Sequence, residues 1–322
     1  MKNASEAKII VILGPTASGK SDLAVKIALR LGSGQARKKF RINGAEIISA
    51  DSRQVYKGLD IGSGKITQKE MMDIPHHLLS IASPKRKFTV AQYKKLAIKA
   101  INKIIKRNKI PIICGGTGFY IQAIVDGISI PEVKPDWKLR KKLEKEKTSN
   151  LFLKLKKLDP KRARTIDSKN KRRLIRAIEI VLTTKRPVQE SQKNPLPHKI
   201  LIFGIKKDKN QLKKLIKTRL KKRLKLGMIA EVKNLRKQGL SFKRLEELGL
   251  EYRRIAQLLQ NKINYREMVE ILQRDIEQFA KRQMTWFKRD KRIHWVRNYK
   301  GAERLVKIFK TASTVKAASK QL

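Results

Sequence analysis

Lys8-Ile9-Ile10-Val11-Ile12-Leu13-Gly14-Pro15-Thr16-Ala17-Ser18-Gly19-Lys20-Ser21 is the stretch on which the fold turns. Its first six residues form a short apolar run rich in β-branched side chains, the pattern of a buried strand. Residues 14–21 then match G-x-x-x-x-G-K-[ST], and an apolar helical pattern follows, so the segment reads as strand, glycine loop and helix. The glycines let backbone N–H groups turn inward around phosphate oxygens. The helix adds its positive N-terminal end, Lys20 adds a full charge, and the Ser21 hydroxyl is a ligand for Mg²⁺. Such a loop recognises a diphosphate rather than a base. ATP and GTP are its default ligands, and the absence of an N-K-x-D motif argues against a GTPase.

Outward from this loop, a second strand at 46–50 follows a Gly- and Lys-rich connection and ends on Asp51-Ser52-Arg53-Gln54. Thr89-Val-Ala-Gln92 reads as a capping box opening a helix to about residue 107, with Tyr93, Leu96, Ala97, Ala100, Ile101, Ile104 and Ile105 on one face. A third strand at 110–114 stops at Gly115-Gly-Thr117-Gly118, where a helix begins. From 131 to 197 only helical periodicity appears, dense in Lys and Arg and bounded by Pro131, Pro135, Pro195 and Pro197. A strand resumes at 199–205, and a basic helix at 208–226 carries Leu212, Leu215, Ile216, Leu220 and Leu224 as its apolar stripe. Asn264-Tyr-Arg-Glu267 opens a long helix to about residue 287, and 292–296 reads as a last strand.

Strands alternating with helices imply an α/β fold: a P-loop NTPase-like, mostly parallel sheet with helices on both faces and a helical insertion domain. The expected organisation is a core at 1–130, the insertion at 131–197, the second part of the core at 198–300 and a tail at 301–322. In such sheets ligands bind beyond the carboxyl ends of the strands, where 14–21, 51–54 and 115–118 converge.

Composition narrows the function. The 322 residues hold 79 Lys and Arg against 27 Asp and Glu, a formal charge of +52, and 40% apolar residues, enough for a core. Charge of that size points to a polyanionic partner, nucleic acid first. A single Cys excludes an internal disulfide and fits a reducing, cytoplasmic setting, and no secretion signal or membrane span is expected.

Residue by residue, alternatives stand side by side. Asp51 is either a Mg²⁺-holding strand-end acid, a general base or a turn cap. Thr117 is a site residue or the N-cap of its helix. Paired His76 and His77 lack a third metal ligand at recognisable spacing, and Cys114 reads as a small buried hydrophobe. The basic runs at 169–176 and 206–223 are solvated helix faces or nucleic-acid contacts.

The ordered set GPTASGKS, ISADSRQVYKGLDIGSGK, IPHHLL, PIICGGTGFYIQAIVDG, RRLIRAIEIV, GMIAEV and KRQMTWFKRD resembles the tRNA dimethylallyltransferase (tRNA isopentenyltransferase) family from about residue 8 to 296. The resemblance implies transfer of a dimethylallyl group from dimethylallyl diphosphate to N6 of the adenine immediately 3′ of the anticodon. On that footing Gly14, Pro15, Thr16, Ala17, Ser18, Gly19, Lys20 and Ser21 hold the diphosphate, with Mg²⁺ on Ser21. Asp51 becomes the general base, and Thr117 and Arg140 lie beside the adenine and the departing diphosphate. The segments matching tRNA contacts are Asp51, Ser52, Arg53 and Gln54; Arg172, Arg173, Leu174, Ile175 and Arg176; and Lys281, Arg282, Gln283, Trp286 and Lys288. The insertion grips the tRNA anticodon stem-loop, and the chain acts as a monomer without a membrane. Where members commonly read IGY and then Lys or Arg, this chain reads Leu248-Gly-Leu-Glu-Tyr252-Arg253. The competing readings are a P-loop kinase of a small metabolite and a non-catalytic RNA-binding protein.

Overall fold

The structure, a computed structural model, describes residues 7–34, 43–131, 133–189 and 192–311. Most of the Gly- and Lys-rich connection, and the tail from residue 312, lie outside the described residues.

Among the described residues six strands make one all-parallel sheet: β1 (Lys8–Leu13), β2 (Ala45–Ser49), β3 (His76–His77), β4 (Ile110–Gly115), β5 (Lys199–Ile205) and β6 (His294–Val296), in the order β3-β2-β4-β1-β5-β6. Helices α1 (Lys20–Gly32), α2 (Gln68–Met71), α3 (Val90–Lys106) and α4 (Gly118–Val125) belong to the first half of the core. Between β5 and β6 come α9 (Lys209–Lys225), α10 (Met228–Lys237), α11 (Phe242–Leu248), α12 (Leu250–Leu259) and α13 (Tyr265–Phe287), and α14 (Tyr299–Thr311) follows β6. The α/β class read from the sequence is the class observed.

Alternation along the strands divides the core between the two sheet faces. Ile10 and Ile12 face Leu23, Ile27 and Leu31 of α1, whereas Ile9, Val11 and Leu13 face Tyr93, Ile101 and Ile104 of α3. A third apolar cluster ties Val55, Tyr56 and Leu59 to Leu220, Tyr252 and Leu272 of the α9–α13 group. Both capping boxes form: Thr89 and Gln92 open α3, and Asn264 and Glu267 open α13. Leu96, expected on the buried face of α3, sits at the edge of the stripe and is exposed. The last strand begins at His294, because Arg292 is drawn to Asp290 and Asp126 at 2.7 Å each.

The chain divides into two compact units, Met1–Asp126 with Pro195–Leu322, and Gly127–Asn194. The second holds α5 (Trp137–Leu143), α6 (Thr148–Leu158), α7 (Pro160–Thr165) and α8 (Lys171–Thr184) around Leu143, Leu151, Leu155, Leu174 and Ile178. Its carboxylate Glu179 is 0% exposed. It accepts from Arg140 Nε and Nη2 at 2.8 and 2.6 Å, from Arg176 Nη1 at 2.5 Å and from the Asp136 amide at 2.7 Å. Burial pushes its pKa up, but these donors outweigh burial and leave it below the usual carboxylate range.

Candidate active site

Because every strand is parallel, the carboxyl ends of β1, β2 and β4 open on one edge of the sheet. The 14–21 loop leaves β1 there. Ala17 and Gly19 take left-handed backbone (φ 61° and 86°), and the chain wraps so that Ser18 N–H donates to the Pro15 carbonyl at 3.3 Å. The Lys20 ammonium lies across the loop and donates to the same carbonyl at 3.2 Å. Burial lowers its pKa, Arg219 pushes the same way and Asp51 opposes. Ser18 Oγ is buried with no hydrogen-bond partner among the described residues, a donor suited to an anion's oxygen. Ser21 stands in the first turn of α1 and is exposed. Among the described residues no three His, Cys, Asp or Glu side chains group to cage a metal. A hard cation here therefore fits Ser21 together with the oxygens of a bound diphosphate, the donor set Mg²⁺ ordinarily takes.

Asp51 stands two residues beyond Ser49, the last residue of β2. Its Oδ1 accepts from the Arg53 and Gln54 amides at 2.8 and 3.3 Å, which closes a tight turn and fixes the carboxylate plane. Thr117 stands at the N-cap position of α4, yet its hydroxyl makes no cap; it accepts from the Ser52 amide at 3.0 Å, while its own N–H donates to the Ala50 carbonyl at 3.1 Å. The capping reading of Thr117 thus gives way to a bridge between the ends of β2 and β4. Arg53 Nε donates to the Leu248 carbonyl at 2.5 Å, so the segment that departs from the family pattern is what aims Arg53. Gln54 spans Ser49 Oγ and the Gly64 carbonyl at 3.4 and 3.3 Å.

Two arginines inside the basic run at 206–223 turn inward rather than to solvent. Arg219 Nη2 donates to the Gly64 carbonyl at 3.0 Å, and Arg223 donates to the Gly62 carbonyl and to Glu251, each at 2.7 Å. Burial, then Arg223, lowers the pKa of Arg219, while Glu251 and Asp51 oppose. This guanidinium, coupled electrostatically to both Asp51 and Lys20, is a candidate site residue the sequence reading did not single out. Its spacing was a signal, since 216, 219, 220 and 223 share one helix face.

Gln283 of α13 is buried, and both ends of its amide are used: Oε1 accepts from the Thr16 amide and Nε2 donates to the Gly116 carbonyl, each at 2.8 Å. Three residues on, the Trp286 indole packs on Gly118 and stands edge-on to the exposed Phe119 (6.4 Å, 71°). A Cβ on Gly116 would lie 2.3 Å from Gln283 Nε2, and one on Gly118 2.3 Å from Trp286 Cδ1, so both glycines exist to admit α13.

Of the residues matched to tRNA contacts, Arg172, Arg173, Lys281, Arg282 and Lys288 are exposed. Leu174 and Ile175 are not available, because both are buried in the core of the 127–194 unit; they hold α8 in place instead. Gln283 is withdrawn from a surface role by its two backbone partners. Arg140 spends one edge of its guanidinium on Glu179 and lies 4.9 Å from the Trp137 ring. His76 and His77 form β3, with His77 Nε2 2.7 Å from buried Glu46, which also holds Arg107 and Lys109. Their part is to pin the sheet edge. The Cys114 thiol is buried and its pKa is pushed up to about 12 by that burial, so it is no nucleophile.

The chain matches the IPP transferase family over residues 54–290. It is 40% identical over 312 residues to the tRNA dimethylallyltransferase of Acetivibrio thermocellus, an alignment covering 94% of this chain and 96% of that one. Among solved structures it resembles the full-length tRNA isopentenylpyrophosphate transferase of Bacillus halodurans, with a TM-score of 0.67, 31% identity and 94% and 95% of the two chains covered. A eukaryotic dimethylallyltransferase solved acting on tRNA shares the fold, with a TM-score of 0.70 at 23% identity over 94% of this chain and 78% of that one.

Proposed function

The chain belongs to the IPP transferase family of enzymes, and we propose that it transfers a dimethylallyl group from dimethylallyl diphosphate to N6 of the adenine immediately 3′ of a tRNA anticodon, acting as a monomer. The observation that carries this reading is the junction at the sheet edge: a glycine loop that wraps around Lys20, a carboxylate fixed by its own turn and a threonine bridging the two neighbouring strand ends.

In the proposed reaction the bond from N6 to the allylic carbon forms as the bond from that carbon to the diphosphate oxygen breaks. The electron pair leaves with the diphosphate, and the N6 proton passes to Asp51. The amino lone pair of adenine is delocalised into the ring, so removal of that proton is where a base contributes. Holding Oδ1 in the turn directs Oδ2 to that task. Lys20, Arg219 and the amides of the 14–21 loop stabilise the charge that grows on the leaving oxygen. Mg²⁺, carried by Ser21 and the diphosphate, would neutralise part of the same charge when bound. Thr117 orients the turn that bears Asp51, and Arg140 remains assigned to the departing diphosphate. The adenine must leave the anticodon-loop stack to enter, which a single-stranded loop makes cheap. The exposed cations of α8 hold tRNA phosphates, and so do those of α13.

Incubating the purified chain with labelled dimethylallyl diphosphate and unmodified tRNA tests the proposal. Label in the RNA is expected. ATP turnover without RNA would instead indicate the kinase reading, and tight RNA binding without transfer would indicate a binding protein.

A further inference from the structure

Helix α13 presents two unlike faces over its last turns. Lys281, Arg282 and Lys288 point outward and are exposed, whereas Gln283 and Phe287 are buried and Trp286 is half-buried against Gly118. The Gln283 amide fills a place only an amide can fill. Its carbonyl end meets an N–H, from Thr16 in the 14–21 loop, and its NH₂ end meets a carbonyl, from Gly116 next to Thr117. A carboxylate would set one of its oxygens, an acceptor, against the Gly116 oxygen, and a cation would set a donor against the Thr16 N–H. With both ends taken and 7% of the residue exposed, nothing of this side chain is left to read a base.

We propose that Gln283 is a positioning residue that couples RNA held on the outer face of α13 to the diphosphate loop, by fixing the Thr16 end of that loop to the Gly116 strand end. The inference rests on the preceding reading, in which the loop holds diphosphate and the α13 cations hold tRNA. Lys281 and Arg282 directly precede Gln283 on one helical turn, so phosphates that order this turn also order the amide beneath it. The loop then loses less freedom when diphosphate arrives. By linkage the effect is reciprocal: RNA tightens diphosphate binding by the factor by which diphosphate tightens RNA binding.

The test measures the affinity of inorganic diphosphate, with magnesium, by calorimetry with and without a saturating anticodon stem-loop, and the affinity of the stem-loop alone at fixed salt. In the wild type the stem-loop is expected to tighten diphosphate binding by about fivefold or more, the lower end of ordinary coupling. Gln283→Met keeps the side chain's length and loses both hydrogen bonds. It is expected to weaken diphosphate binding by roughly tenfold, to leave stem-loop affinity within about twofold and to abolish the coupling. Gly116→Ala places a methyl 2.3 Å from Nε2 without altering α13 and is expected to give the same split, so it carries the test should the methionine variant melt early. Weakened stem-loop binding with diphosphate binding intact would show that Gln283 touches RNA and would overturn the inference. Coupling retained in both variants, or absent from a wild type that binds both ligands, would overturn it as well. A wild type that binds no diphosphate would instead bring down the preceding reading, and this inference with it.

Discussion

Asp51→Asn exchanges one carboxylate oxygen for an NH₂ group, and the local geometry says which functions survive. Oδ1 accepts from the Arg53 and Gln54 amides at 2.8 and 3.3 Å, and the carbonyl of Asn can accept both. What the turn loses is the charge assistance of those two bonds, about 1 kcal/mol, a change of a few degrees in Tm for a chain of this size. The chemistry loses far more, because NH₂ has no basic lone pair to offer the adenine N6–H. General-base catalysis contributes about 10²- to 10⁴-fold, or roughly 2.7 to 5.5 kcal/mol of barrier. The two costs therefore separate cleanly. Under single-turnover conditions, with enzyme in excess over labelled stem-loop, the variant should transfer at least about a hundredfold more slowly. Its stem-loop affinity should stay within a few-fold and its Tm within a few degrees of wild type. A rate above about a tenth of wild type would refute the assignment of Asp51 as base. A collapse of Tm would show that the turn, rather than the proton, depends on the charge.

Lys20→Ala should weaken inhibition by inorganic diphosphate as well as slow transfer, since its charge acts in ground and transition states alike; unchanged inhibition would count against the loop's assigned ligand. Glu179→Ala removes the acceptor of four hydrogen bonds from two arginines and an amide and should cost about 3 to 5 kcal/mol in urea unfolding. Because the folded pKa of Glu179 lies below its unfolded value, its contribution is full above the unfolded pKa and fades as pH falls through the folded one. Glu179→Gln should therefore flatten the wild type's loss of stability below about pH 4.3, and an unchanged pH profile would contradict this. Arg173→Ala should reduce the slope of log K against log salt for stem-loop binding by about 1, alike for all tRNA sequences, and equal slopes would return α8's cations to the solvent.

What could be read from the sequence was whatever leaves a local, periodic or stereochemical trace. Strand β5 falls on its expected residues, both capping boxes form, and the 14–21 loop sits between the strand and helix it requires. What could not be read depends on which way a side chain turns in three dimensions. Arg219 and Arg223 stand among lysines, so charge concealed the fact that they share a helix face with Ile216 and Leu220. Leu174 and Ile175 lie between exposed Arg173 and half-buried Arg176, and a segment match carried the core residues along with the surface ones. Strand β3 is two residues long, too short for any period. Thr117 and Gln283 find their partners at separations of 65 and 267 residues, beyond the reach of any local pattern. The departure at 248–253 is likewise explained only by contacts: Leu248 receives Arg53, and Tyr252 donates at 2.9 Å to Glu231, whose carboxylate also gathers the amides of Asp60, Ile61 and Gly62.

The most direct measurement is mass-spectrometric mapping of a tRNA transcript after incubation with the chain, magnesium and dimethylallyl diphosphate, beside a transcript carrying guanine in place of the adenine 3′ of the anticodon. The site described here predicts one dimethylallyl group on N6 of that adenine, diphosphate released in equal amount, and no modification of the guanine transcript. A prenyl group elsewhere in the RNA, or none while ATP is consumed, would contradict the account.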